Sequence, residues 1–277
     1  MDKKVWLITG ISSGLGKALA QSVMENGDFV IGTFRNQNQV NGFNKNHSEK
    51  GFAIVLDITN EKEIEQAVKK IISKYEKIDV LVNNAGIGFV GAIEETSMQE
   101  VKQVFEPNFF GTLKLTQTVL PFMREKKNGY IIQISSHGGI KAFAGFGIYN
   151  ASKFALEGFS EALAQEVSPL GINVSIVEPG PFRTNFAGSR LGVAKNVIDD
   201  YSETAGAFRS KLKGVDGKQE GNPLKAAKAI IDLVNSEHPT LRLPLGKIAL
   251  MTIGMKLDSV KSDLEANREV AENVVYE

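Results

Sequence analysis

KVWLITGISSGLGKALA, residues 4–20, holds a strand, a turn and the start of a helix in seventeen positions. The run VWLI is continuously apolar, the pattern of a strand buried on both faces, and helical spacing begins at Gly14. A strand that passes through a glycine turn straight into a helix is the first half of a βαβ unit. It also sets the free N–H groups of a helix N-terminus at the carboxyl end of a strand, which is a place for an anion. Gly10 permits the tight turn, and Gly14 and Gly16 let the backbone and the following helix come close to a pyrophosphate. The spacing G-x-x-x-G-x-G is not G-x-G-x-x-G, so a dinucleotide is inferred from context: the turn follows the first strand and opens a helix.

Outward from this unit the same alternation repeats. Apolar runs at 28–34, 51–57, 78–83, 129–135, 172–179 and 240–245 are separated by helical patterns at 61–75, 97–127, 149–167 and 223–236. Six or seven such strands, mostly continuous rather than alternating, predict an α/β fold: a Rossmann-like, doubly wound parallel sheet with helices on both faces. No linker, repeat or low-complexity run divides the 277 residues, so the whole chain, 1–277, reads as a single domain. Two segments depart from the rhythm. The asparagine-rich stretch 36–50 reads as a surface loop or a short weak helix, and 186–222 reads as a long insertion on the carboxyl edge of the sheet, where a substrate lid would sit. A helical extension closes the chain, and the apolar octet IALMTIGM at 248–255 is expected to be core or lid.

Lys plus Arg equals Asp plus Glu at 32 each, which gives no electrostatic case for nucleic acid or an anionic membrane surface. Cysteine is absent, excluding disulfides, cysteine-bound zinc and a thiol nucleophile; a reducing cytoplasm is compatible with this. His47, His137 and His238 are too scattered for a metal site. The apolar run after Lys4 is too short for a signal peptide, and 248–255 is too short to span a bilayer. A small partner suits this chain better than a polymer.

Tyr149 and Lys153 in GIYNASKFALEG stand four apart, so they share one helix face with the ammonium a turn beyond the phenol. Together with Thr9-Gly10-x-x-x-Gly14-x-Gly16, with NNAG at 83–86, and with Ser136 thirteen residues before Tyr149, this pair resembles the short-chain dehydrogenase/reductase family. Order and spacing carry the resemblance from about residue 4 to 185. It implies hydride exchange between a nicotinamide dinucleotide and a carbonyl or alcohol, with Asn108, Ser136, Tyr149 and Lys153 as the catalytic set. The chemistry is consistent with those residue types: as hydride reaches carbon, charge grows on oxygen and a proton must arrive there. A phenol can supply it once its pKa of about 10 is lowered, and a neighbouring ammonium together with an oxidised nicotinamide would lower it. By resemblance Lys153 also binds the nicotinamide ribose, Ser136 donates to the substrate oxygen, and Asn108 breaks a helix and holds a water in the proton relay. Pro107 directly before Asn108 is unusual there; lacking an N–H, it would accentuate the break.

The cofactor contacts implied are Gly10, Ser12, Ser13, Gly14, Leu15 and Gly16 in the turn, Asp57 and Ile58 at the adenine, and Asn84, Ala85 and Gly86 along the adenosine side. Pro179, Gly180 and Thr184 would orient the carboxamide, with Tyr149 and Lys153 at the ribose. The choice between cofactors turns on the end of the second strand. Phe34 stands where an NAD enzyme would carry a carboxylate for the ribose 2′-hydroxyl, and Arg35 follows it, able to fork onto a 2′-phosphate with help from Ser12 or Ser13. NADP is therefore expected ahead of NAD.

The alternatives are an NAD-linked alcohol dehydrogenase on the same scaffold, a dinucleotide-binding regulator without catalysis, and a sugar-nucleotide epimerase. A Ser136–His137 hydrolase is disfavoured, because no G-x-S-x-G elbow is present and neighbours on a strand end diverge. Phe89, Val90, His137, Phe143, Phe146, Phe182 and Phe186 are candidate lining for a hydrophobic substrate. The long helices near 107–127 and 149–167 resemble those that pair across a two-fold axis in the family, implying a homodimer or homotetramer.

Overall fold

The computed structural model describes residues 3–186, 188 and 191–276. In chain order the elements are β1 (Val5–Ile8), α1 (Gly14–Glu25), β2 (Phe29–Phe34), α2 (Gln37–Asn46), β3 (Gly51–Val55), α3 (Glu61–Tyr75), β4 (Val80–Asn83) and β5 (Gly88–Val90). Next come α4 (Met98–Phe105), α5 (Gly111–Lys126), β6 (Gly129–Ile134), α6 (Gly147–Val167), β7 (Ile172–Pro179) and β8 (Leu191–Val193). The chain ends with α7 (Ala207–Gly214), α8 (Pro223–Val234), β9 (Arg242–Leu245), α9 (Lys247–Ala266) and α10 (Arg268–Glu272).

Seven strands form one parallel sheet in the order β3-β2-β1-β4-β6-β7-β9, as the apolar runs predict. The strand order reverses direction between β1 and β4, which opens a crevice at their carboxyl ends. Each face is sealed by its own apolar layer. On one side Trp6, Ile8 and Val82 pack with Leu19 and Val23 of α1 and Ile230 of α8; on the other Leu7, Leu81 and Ile131 pack with Ile64, Leu115 and Leu163 of α3, α5 and α6. Burial on both faces explains why these strands lack alternation.

The structure decides one alternative the sequence left open, adds one element and corrects one expectation. The stretch 36–50 does contain a helix, α2, started by Asn36, whose side chain accepts the Asn38 N–H, and held by Val40 and Phe43 against the core. A second, two-stranded parallel sheet pairs β5 with β8, setting residues 191–193 of the expected lid against the segment that follows β4; of that lid, residues 187, 189 and 190 lie outside the described residues. Residues 248–255 are not core: they form the first half of α9, where Leu250, Met251 and Met255 are exposed and only Ala249 and Thr252 are buried.

Candidate active site

The first turn has the shape its glycines require. Gly10 and Gly14 adopt φ of +71° and +61°. A Cβ on Gly16 would sit 2.3 Å from Asn84 Nδ2 and 2.8 Å from the Gly10 carbonyl oxygen, so only glycine fits. Asn84 Nδ2 donates to the Thr9 carbonyl at 2.8 Å, and Thr9 Oγ1 accepts the N–H groups of Asn84 and Ala85, both at 2.9 Å. NNAG thus ties the end of β4 to the end of β1. Ser13 is extended and gives α1 no side-chain cap, leaving the helix N-terminus open to an anion. Thr184 comes from beyond β7 to stand over this turn; a Cβ on Gly14 would lie 3.4 Å from its Cβ. Leu15 packs on the core behind. A glycine-lined helix N-terminus roofed by Thr184 fits a pyrophosphate.

The remaining expected cofactor residues lie along the same edge. Asp57 accepts the Thr59 N–H and hydroxyl at 3.0 and 2.9 Å, and Ile58 beside it is buried. Arg35 projects into solvent after β2 and makes no ion pair among the described residues. Pro179 and Gly180 end β7 half-buried, with the Gly180 N–H donating to the Leu245 carbonyl at 2.9 Å.

Ser136, Tyr149, Lys153 and Asn108 converge across this crevice, and all four are buried. Ser136 Oγ accepts the Gly138 N–H at 3.0 Å, and a Cβ on Gly138 would lie 3.3 Å from that oxygen and 3.6 Å from Tyr149 Cε1. Lys153 Nζ donates to the Ile134 carbonyl at 2.8 Å. A Cβ on Gly86 would lie 2.9 Å from Asn108 Oδ1 and 3.8 Å from Lys153 Nζ, so Gly86 leaves the gap in which the two approach. The helix break at Asn108 is a π-helical turn, Glu106–Phe110, between α4 and α5, with Pro107 inside it. There Asn108 clasps one peptide: Oδ1 accepts the Ile87 N–H at 2.8 Å and Nδ2 donates to the Ile87 carbonyl at 3.0 Å, with Ser152 Oγ on α6 at 3.1 Å.

Burial governs the electrostatics. It pushes the Tyr149 phenol up to about 12, an effect partly offset by the nearby Ser136 hydroxyl. It also pulls Lys153 down to about 8, against the support of the Glu157 carboxylate one turn further along α6. Desolvation outweighs the lysine alone, so the expected lowering of the phenol rests on the ammonium and an oxidised nicotinamide acting together. Beneath the pair lies a cluster that spacing did not reveal: Arg242 of β9 bridges Glu157, Glu161 at 2.6 Å and Glu178 at 3.1 Å. Burial and the neighbouring Glu157 push Glu178 up to about 7, although Arg242 opposes the shift. Since this folded value lies above the ordinary 4.5, the folded state holds the extra proton between the two values. Stability from this group is present at pH 4.5 and is lost as pH rises towards 7. Urea midpoints at pH 5 and 8 should accordingly converge in Glu178→Gln relative to the parent; an unchanged difference would contradict the assignment.

Above the phenol stands an aromatic wall. Phe146 lies 4.9 Å and Phe186 5.6 Å from the Tyr149 ring, centroid to centroid, and Phe208 of the lid meets Phe146 at 5.0 Å. Val90, Phe143, Leu191 and Leu212 complete this cluster. His137 packs on Phe143 at 5.0 Å. Its Nδ1 lies 2.9 Å from Thr252 Oγ1, which ties the ring to α9. Burial lowers His137 to about 4 and keeps it neutral. Two expected lining residues belong elsewhere. Phe89 packs with Val104 and Ala194, and Phe182 stacks on Gly221 at the base of the lid. The segment expected to be the lid is fastened by Glu95, which accepts the N–H groups of Ala92 and Ile198 at 2.8 and 3.0 Å and pairs with Arg209 at 2.7 Å. Burial works against the Glu95 charge, but these donors together hold its carboxyl below the usual range.

A parallel sheet with a glycine-lined crevice, facing a buried serine, tyrosine and lysine, defines a nucleotide-dependent oxidoreductase. Residues 4–191 match the short chain dehydrogenase family. The chain is 40% identical over 252 residues, 90% of each chain, to a 3-ketodihydrosphingosine reductase of Bacteroides thetaiotaomicron. A short-chain dehydrogenase from Streptomyces avermitilis superposes with a TM-score of 0.93 at 41% identity, covering 99% of both chains. ElxO with NADP bound superposes at 0.75 with 27% identity, over 90% of this chain and all of that one. The protein belongs to the short-chain dehydrogenases, oxidoreductases of the CH–OH group that use a nicotinamide dinucleotide. Among the described residues no helix is long and apolar enough to cross a membrane, and no cluster of potential metal ligands is present.

Proposed function

We propose that the protein exchanges hydride between NADP(H) and a small hydrophobic ketone or alcohol, with Tyr149 as the acid and base. The observation that carries this reading is the meeting of the Tyr149 phenol, Ser136 Oγ and Lys153 at the mouth of a crevice whose other end is the α1 N-terminus. NADP supplies the carbon that gives or takes hydride and, when oxidised, a positive charge beside the phenol. Ser136 donates to the substrate oxygen, and Tyr149 delivers or removes its proton. Lys153 would hold the ribose hydroxyls and support the phenolate, and a water held at Asn108 would carry the proton onward. The cofactor would be held by Gly10, Ser12, Ser13, Gly14, Leu15, Gly16, Asp57, Ile58, Asn84, Ala85, Gly86, Pro179, Gly180 and Thr184. Arg35 at the adenosine end selects the 2′-phosphate.

The aromatic wall of Phe143, Phe146, Phe186 and Phe208 favours an apolar substrate body, and the relative named for a ketosphingoid lipid is in keeping with that chemistry. Residues 186–222 act as the lid of a single-domain enzyme. The cysteine-free chain suits a cytoplasmic setting. A panel of ketones and alcohols graded in apolar area, followed by NADPH absorbance, tests the reading: turnover should rise with apolar size, and turnover confined to small polar carbonyls would refute it. An NAD-linked dehydrogenase is the alternative, decided by comparing the two cofactors in the same assay.

We also propose self-association through the α5 and α6 face. At its α4–α5 junction Phe105 of α4, Phe109 and Phe110 of the π-helical turn and Phe159 of α6 form a connected aromatic cluster, and Phe110 and Phe154 are 51% and 41% exposed. Such a patch marks an interface. Phe110→Arg with Phe154→Arg is expected to lower the sedimentation mass at tens of micromolar by one step of association. An unchanged mass would remove this face from consideration.

A further inference from the structure

Helix α9 leaves the body of the protein part-way along its length. Ala249 and Thr252 are buried, but from Leu257 through Tyr276 every residue is exposed. A helix in water draws most of its stability from packing, so an unpacked helical segment lacks its usual support. Its apolar spacing shows where that support would come from. Leu250, Ile253, Leu257, Val260 and Leu264 follow steps of three, four, three and four, the seam of a coiled coil. Ile253 is half-buried; the other four are 37 to 69% exposed. At about 100° per residue the five fall on one side of the helix, next to the face that Ala249, Thr252 and Lys256 turn toward the body. The stripe is therefore additional to the surface that anchors α9.

We propose that α9 is a second self-association element, separate from the phenylalanine face, whose stripe pairs antiparallel with the same stripe of a second copy across a two-fold axis. In the register that stacks Leu257 on Val260 of the partner subunit, Ile253 meets Leu264 of the partner subunit. Each contact occurs twice by symmetry. The flanking charges select this direction: Lys256 then faces Asp263 of the partner subunit, again twice. Parallel pairing would set Lys256 against Lys261 of the partner subunit. Arg268, the cation that could compensate, lies beyond α9 and already pairs with Glu265 and Glu272. An anionic bilayer is a poorer occupant, because residues 257–276 carry five acidic and two basic side chains.

The test compares the full chain with its Leu257→Asp, Leu264→Asp variant by sedimentation. The mass should fall by half, with helix content otherwise retained. Because the chain has no cysteine, introduced thiols report the pairing directly. Mixing Leu257→Cys with Val260→Cys protein under mild oxidation should give a disulfide-linked dimer of one of each, whereas Leu257→Cys alone should give little. The same cross-link should form in a Phe110→Arg, Phe154→Arg background, so failure of the phenylalanine face and failure of α9 are told apart. An unchanged mass, self-linking of Leu257→Cys as strong as that of the mixture, or a variant that loses only binding to lipid vesicles would overturn the proposal.

Discussion

Tyr149→Phe is expected to lower turnover at least about a hundredfold while leaving dinucleotide affinity within about twofold of the parent. The substitution removes one oxygen and little else. The ring is buried and packs against Phe146 and Phe186 at 4.9 and 5.6 Å, contacts that phenylalanine keeps. What is lost is the group that gives its proton only as the substrate oxygen becomes charged, so kcat should fall with little change in KM. Direct titration of NADPH separates this from a folding or binding defect. Turnover within threefold of the parent on a good substrate would refute the acid–base role.

Arg35→Ala is expected to raise the NADPH dissociation constant by roughly ten- to over a hundredfold, the worth of a hydrogen bond to a charged group of about 1.5 to 3 kcal/mol. NADH affinity should hardly move, since NADH lacks the phosphate. Arg35 is exposed and serves no internal ion pair among the described residues, so its removal leaves the fold intact. The neighbouring position is a poor place to engineer the opposite preference. Phe34 is only 8% exposed and packs on Phe43 at 5.8 Å, so an aspartate there would be buried in the core before it could meet a ribose. Equal weakening of both cofactors by Arg35→Ala, or tighter binding of NADH by the parent, would withdraw the NADP assignment.

The strands of the main sheet were legible because a strand covered on both faces is predominantly apolar without alternation, and β1, β4 and β6 are buried throughout. β5 and β8 carry no such signature. Each has three residues, and their pairing is set by the path of the lid rather than by composition. Ser136, Tyr149 and Lys153 were legible through the spacing that the family resemblance supplies, as was the helix break at Asn108, where Pro107 sits inside the π-helical turn. Arg242 was not, since it meets Glu157 across 85 residues of chain. Half of that contact was nonetheless in view: Glu157 follows Lys153 by four, as Lys153 follows Tyr149, so all three share one helix face. The aromatic wall shows the same division. Phe143, Phe146 and Phe186 follow the motifs closely, whereas Phe208 reaches them only through the folded lid.

The bridge made by Arg242 bears on the order in which the enzyme matures during synthesis. β9 is the last strand of the sheet to leave the ribosome, and it brings the counter-charge for Glu157, Glu161 and Glu178, carboxylates that α6 and β7 have already placed. Until it docks along β7, the buried Glu157 and Glu178 lack the Arg242 guanidinium, and burial favours their protonated forms. Docking of the carboxyl-terminal strand is therefore the step that completes the charge balance beneath the catalytic helix.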